Sequence, residues 1–186
     1  MNPIYDPVIF DFENDVYSKQ VVVSRKFYKD IKQIYKNPEN INDDVEMYHV
    51  YSYDAGENVA GNLRWGMTVL NPVYVNGECN MTRGHWHQKR ECAELYYGVA
   101  GEGLLMLMDE DGNTWCERVF KGSVHHIDGH LAHRLLNTSN TALKVIACWG
   151  CDAGHDYAAV EKQPFGYRVM KEHDELIFIK EKDDEK

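Results

Sequence analysis

Thr82-Arg83-Gly84-His85-Trp86-His87 is the segment on which this sequence turns. Side chains alternate faces along a strand, so His85 and His87 are predicted to present two imidazoles side by side. Glu94 opens the next hydrophobic run, Ala93 to Val99, and a hairpin would fold it back beside them. A third imidazole comes from farther along, from His133 or from its rivals His125, His126 and His130. Three imidazoles and one carboxylate suit iron, manganese, nickel or zinc and leave coordination positions for a substrate. An oxygen-rich magnesium site is a poor match. The chemistry indicated is metal-assisted.

Around that segment, short runs rich in Val, Tyr, Leu and Trp fall at 48–53, 64–70, 77–83, 93–99, 103–108, 113–120 and 143–149. Turn-forming residues separate them at Ala100-Gly101-Glu102-Gly103, Asp109 to Asn113, Lys121-Gly122 and Asn137 to Thr141. Such spacing predicts an all-β sandwich or barrel. In a barrel, inward-facing residues of distant strands share one lumen, which explains how ligands far apart in sequence converge. Trp65, Trp86, Tyr96 and Trp149 are predicted to line that lumen or to pack in the core. Ahead of the barrel, Phe27, Ile31, Ile34 and Tyr35 stand at helical spacing within 26–36, which predicts a short amphipathic helix. Residues 167–170 and 176–179 read as a closing hairpin. The expectation is one domain over 1–186, with an N-terminal strand and helix extension at 1–47, a barrel core at 48–170 and a flexible tail at 181–186.

With 186 residues, 44% of them hydrophobic, the chain can bury a real core. Thirty acidic residues against 20 basic leave a formal charge of −10, which repels an anionic polymer, so nucleic acid is not an expected partner. A small phosphate ester remains open, because a local nest of amides and hydroxyls binds it whatever the sign of the exterior. Met1 to Asp15 lacks the basic-then-apolar pattern of a secretion signal, and nowhere do eighteen apolar residues run together. A cytoplasmic location without membrane association is expected. The five cysteines, at 79, 92, 116, 148 and 151, are an odd number and are read as reduced. Cys148-Trp149-Gly150-Cys151 has redox-pair spacing but ends a strand-like run where a redox pair would open a helix, so packing is its expected role.

The glycines near the ligands carry a resemblance. Gly101 follows Glu94, and a second block runs Gly122, Asp128, His130, His133, Asn137. This is similar to the two-part signature of the cupin superfamily, in which His-x-His, Glu and a later His bind one metal inside a jelly-roll-like β-barrel. His133 is preferred to its rivals because His-x3-Asn closes that motif. Two departures are visible: His87 and Glu94 stand farther apart than usual, and Asp128 and His130 replace the common Pro and Gly. Within the cupins the chain resembles the cupin-type glucose-6-phosphate isomerases of archaea and some bacteria, over roughly 48–170. The shared segments are Met67-Thr68-Val69-Leu70, Thr82 to His87, Ala93-Glu94-Leu95-Tyr96, Ala132-His133-Arg134 and Asp152-Ala153-Gly154-His155-Asp156-Tyr157. The last discriminates, since cupins at large lack it. Just before it, Cys148 to Cys151 replaces a frequent Tyr-Pro pair.

The resemblance implies one divalent transition metal per subunit, Fe(II) first with Mn(II), Ni(II) or Zn(II) as alternatives, held by His85, His87, Glu94 and His133. It implies phosphate contacts from Thr68, Thr82 and the Gly84 backbone, a sugar-phosphate pocket shaped by Tyr48, Tyr96, His155 and Tyr157, and a homodimer. The implied reaction interconverts glucose 6-phosphate and fructose 6-phosphate by moving one hydrogen between C2 and C1. In an enediol route Glu94 is the expected base, although a carboxylate bound to a cation is a weaker one; a hydride shift needs no such carrier. Tyr96 and His155 are the expected acid–base groups for ring opening or proton relay. Two other classes fit the same ligands: a cupin dioxygenase and a non-catalytic sugar-phosphate-binding cupin.

Overall fold

Alternation of apolar and polar residues is carried into the structure strand by strand. In the computed structural model, which describes residues 4–14, 16–38, 41–54 and 59–181, β-strands account for nearly all regular structure. The order is β1 (Phe10–Asp11), β2 (Val16–Tyr17), β3 (Val21–Phe27), α1 (Tyr28–Ile31), β4 (Glu46–Asp54), β5 (Leu63–Leu70), β6 (Tyr74–Val75), β7 (Glu78–Cys79) and β8 (Glu94–Ala100). There follow β9 (Gly103–Met108), β10 (Thr114–Val119), β11 (Val124–Ile127), β12 (Ala132–Asn137), β13 (Leu143–Gly150), α2 (Tyr157–Lys162), β14 (Tyr167–Glu172) and β15 (Glu175–Lys180).

A six-stranded antiparallel sheet, ordered β11-β8-β13-β5-β4-β3, forms one wall. Across from it lie the sheets β10-β9-β12 and β15-β14-β7-β6, while β1 and β2 form a two-stranded sheet among the described residues. Along β13 the inward residues are Leu143, Val145 and Ala147, the period-two pattern of a strand with one face on the core. Strand β9 is buried at every residue, because it is the middle strand of its sheet and is covered on both faces. Leu104 to Met108, Leu135 and Leu136 share one core cluster with Tyr48, Leu70 and Val145 of the opposite wall. Together the walls make the all-β, jelly-roll-like barrel expected from the sequence.

Several expected elements differ. The helix expected at 26–36 is only α1 and a 3-10 turn at Lys32–Ile34. Strand β3 runs to Phe27 by pairing with β4, and Asp30 Oδ2 accepts the Phe27 amide at 2.9 Å, so the helix starts one residue later and buries Tyr28, Ile31 and Tyr35. Since β3 belongs to the six-stranded sheet, that sheet reaches back to Val21 and position 48 falls inside β4. The run at 77–83 is not one strand: after β7 the chain follows β12 through isolated bridges, Met81 to Leu136 and His85 to His133. Gly84, at φ +77°, turns the backbone out of strand conformation there. The β14–β15 hairpin forms as read, and Glu181, first residue of the expected tail, pairs with Arg168. Residues 182–186 of that tail lie outside the described residues. Among the described residues no helix is long and apolar enough to cross a membrane.

Candidate metal centre and substrate cavity

The ligands meet through pairing between distant segments. Glu94 opens β8 on its inward face, shared with Tyr96. His133 N donates to His85 O at 3.1 Å and His85 N to His133 O at 3.2 Å, which sets their rings 4.3 Å apart between centroids. His87 is oriented through its own ring: the Cys92 carbonyl can only accept, so Nδ1, 2.7 Å away, carries the proton and leaves the Nε2 lone pair free. That Nε2 lies 3.3 Å from Glu94 Oε2, and His133 Nε2 lies 3.0 Å from the same oxygen. One donor atom from each of His85, His87, Glu94 and His133 falls within 4.8 Å of all the others.

Two observations test whether this set fits a metal. His85 Nε2 and His133 Nε2 are buried and make no hydrogen bond among the described residues, although buried polar atoms are normally satisfied. A cation between them and Glu94 would satisfy both, and three nitrogens with one oxygen suit a divalent transition ion. Two of the charge states agree, those of Glu94 and His85, whereas His87, which burial would lower, is raised by the Glu94 carboxylate and the Cys92 carbonyl. Burial would raise the Glu94 carboxyl, but the His133 and His87 imidazoles outweigh it and hold the group at about 2. Burial, reinforced by the imidazoles of His133, His155 and His87, pushes His85 well below its ordinary value, into the neutral form that ligates metals.

The cluster lies at a cavity of about 320 Å³, within the range of small-molecule sites. Tyr48, Thr68, Thr82 and Gly84 line it, as do Tyr96, His155 and Tyr157. Thr82 Oγ1 accepts the Leu135 amide at 3.0 Å, which leaves its own proton free to donate. Gly84 is glycine for a reason other than clearing the way to a ligand. Its positive φ disfavours any side chain, and a Cβ would lie 2.9 Å from Arg134 Nε and 3.0 Å from the Phe165 ring. Burial and the Glu94 charge push the Tyr96 phenol well above its usual range, so it stays protonated, while burial lowers His155.

The Asp152 to Tyr157 segment is held beside the ligands by a small ladder of its own. Trp86 N donates to Asp156 O at 3.2 Å, Asp156 N to Trp86 O at 2.7 Å and Lys89 N to Ala153 O at 2.9 Å. Asp156 Oδ1 accepts the Ala159 amide at 3.1 Å and caps α2. Gly154, at φ +63°, packs against Gln88 where a Cβ has no room. His155 is thereby set edge-on to His85, with ring centroids 4.3 Å apart, and stacked on Tyr157.

This site sits within a recognisable family. The family model for glucose-6-phosphate isomerase matches residues 21–185. The chain belongs to the glucose-6-phosphate isomerase family. The glucose-6-phosphate isomerase of Thermococcus kodakarensis is 33% identical over 76% of this chain and 74% of its own length. That of Pyrococcus horikoshii is 31% identical over 91% of each. A solved mutant of Bacillus subtilis oxalate decarboxylase is similar at a TM-score of 0.47, with 20% identity over 59% of this chain and 27% of that one.

In this glucose-6-phosphate isomerase family member the rival histidines are engaged elsewhere. His125 lies 2.6 Å from Glu117 Oε2 and 2.9 Å from Ser123 Oγ, His130 lies 3.3 Å from Glu110 Oε1, and His126 is exposed. Of the four aromatic residues considered for the lumen, Tyr96 and Trp149 line it. Trp65 stacks on Tyr53, and Trp86 is buried with the Arg90 guanidinium over its ring. All five cysteines are free thiols. Sequence reasoning missed two cationic lining residues, Arg64 and Arg83. Arg83 stood inside the quoted motif, yet only the fold lays its guanidinium over Tyr157, 4.4 Å from the ring centroid. Arg64 acquires its place through the register that sets it opposite Trp149.

Proposed function

We infer that the protein interconverts glucose 6-phosphate and fructose 6-phosphate, using one divalent transition metal held by His85, His87, Glu94 and His133, with Fe(II) as the first choice. The observation that carries this is the convergence of four donor atoms beside a cavity in a chain of this family. When bound, the ion supplies Lewis acidity toward the sugar oxygens that exchange carbonyl and hydroxyl character. The rest is work for side chains. Thr68, the spare proton of Thr82 and the Gly84 amide take the phosphate, and Tyr48 and Tyr157 flank the sugar. For ring opening, a neutral His155 nitrogen accepts the proton of the anomeric hydroxyl while Tyr96 Oη gives one to the ring oxygen.

For the hydrogen moved between C2 and C1, Glu94 is the one carboxylate of the ligand set and the candidate carrier. As a ligand to a cation it is a weak acceptor, which favours a second reading of this step: a hydride shift in which Glu94 only ligates. We also read the protein as a single-domain, cytoplasmic homodimer without nucleic-acid or membrane partners. The edge strand β15 supports the dimer, because Leu176, Ile177, Phe178 and Ile179 are all exposed on it. A charge of −10 supports the absence of nucleic acid.

The test is turnover by purified protein after metal stripping and reloading with Fe(II), Mn(II), Ni(II) or Zn(II), with glucose, mannose and fructose 6-phosphates offered in turn. Activity restored by metal and largest with Fe(II) is the expected result. Oxygen uptake without isomerisation would replace this reading with the dioxygenase, and binding without turnover under every metal would leave a sugar-phosphate-binding protein.

A further inference from the structure

Arg134 follows His133 on β12 and, by strand alternation, leaves the ligand face to its neighbour. Its guanidinium donates from Nη2 to the Arg83 carbonyl at 2.7 Å, lies over the Phe165 ring at 4.4 Å and sets Nη1 3.0 Å from Met81 Sδ. No carboxylate lies within ion-pair distance of it among the described residues, and its Nε is buried without a hydrogen-bond partner. Arg83, by contrast, is neutralised by Glu161 at 2.5 Å. Arg134 is half-buried and borders a second cavity, so its charge is only partly screened by water, and a partly desolvated cation without a counter-ion leaves its field directed at its neighbours.

What it touches indicates that use. The carbonyl it grips belongs to the peptide whose other half is the Gly84 N–H. No peptide bond of the described chain is cis, and in a trans peptide the carbonyl and the N–H point in opposite directions. With the Arg83 carbonyl tied to Arg134 on one side, the Gly84 N–H is turned the other way, toward the cavity that Gly84 lines. That N–H makes no hydrogen bond among the described residues. A charged donor on the carbonyl also polarises the peptide and strengthens its N–H as a donor.

The geometry points to Arg134 as a positioning residue for anion recognition: it aims the Gly84 amide at the substrate's phosphate and places an unpaired positive charge behind it. The inference rests on the reading above that Thr82 and Gly84 form the phosphate end of the cavity. It accounts for the requirement for glycine at 84, since Arg134 occupies the space a Cβ would take. It also adds a positive charge behind the phosphate end of a cavity that Arg64 and Arg83 already line, in a chain of net charge −10.

The test combines two variants with a measurement on the unaltered enzyme. Arg134→Met and Arg134→Gln keep an unbranched stem and lose the guanidinium charge. With metal content matched by elemental analysis, each is expected to raise KM for fructose 6-phosphate and Ki for inorganic phosphate together by about tenfold or more, with kcat changed far less. A purely structural role would lower stability or metal content and leave Ki and KM alone. In the metal-stripped wild type, titration with inorganic phosphate followed by amide NMR is expected to shift the Gly84 N–H strongly. Unchanged KM and Ki in whichever variant folds, or a Gly84 amide indifferent to phosphate while Thr82 responds, overturns the inference and leaves the phosphate site standing. If neither Gly84 nor Thr82 responds, the phosphate reading itself falls and takes the inference with it.

Discussion

Thr82→Val separates two jobs of one hydroxyl. Thr82 Oγ1 accepts the Leu135 amide at 3.0 Å, and Leu135 is 2% exposed, so valine leaves that N–H buried without an acceptor. An orphaned buried donor costs about 1–3 kcal/mol. For a chain of this size each kcal/mol lowers Tm by about 2–4 °C, so the fall should be about 2–12 °C. The hydroxyl's own proton is the one offered to phosphate, and a hydrogen bond to a charged group contributes about 1.5–3 kcal/mol, which translates into KM higher by roughly 10- to 150-fold. Thr82→Ser keeps both jobs and should stay near wild type in each. Thermal melting reads the first effect, and a coupled isomerase assay at saturating metal reads the second. A valine variant with lowered Tm and unchanged KM refutes the phosphate contact. Raised KM with unchanged Tm refutes the account of the Leu135 amide.

Three further predictions follow from the same geometry. His133→Ala should lose stoichiometric metal by elemental analysis, whereas His126→Ala and His130→Ala should keep it; the reverse pattern would mean the third imidazole is misassigned. Gly84→Ala should lower Tm by about 2–8 °C, from about 1–2 kcal/mol of left-handed backbone strain, before any crowding of Arg134, and should weaken phosphate inhibition; a variant with neither effect contradicts the packing behind Gly84. Glu94→Gln should bind metal more weakly, and at saturating metal its kcat decides the hydrogen step together with turnover in D2O. Deuterium at C1 of the ketose with an inactive metallated variant makes Glu94 the proton carrier, while no label with substantial activity confines it to ligation.

His85, His87 and Glu94 were legible as candidate metal ligands in the linear chain because coordination chemistry resides in side-chain identity and they lie close in sequence. The strands at 64–70, 93–99, 103–108 and 143–149 were legible too, because alternation is a local property. Other features required the tertiary fold. His85 and His87 converge through backbone pairing with His133 and a ring bond to Cys92, not through the face of one strand. The sequence motif already favoured His133 over His125, but its place beside His85 comes from β12 lying along residues 81–87 while β11 lies beside β8, which is a matter of register between distant segments. The same holds for β3, whose half-polar sequence becomes a strand because β4 offers it an edge. It holds most of all for Arg134: its type and number are plain in the sequence, but only the assembled sheet puts its guanidinium behind Gly84. Hydrogen bonds and unpaired charges across such sequence distances are products of packing, and no local pattern encodes them.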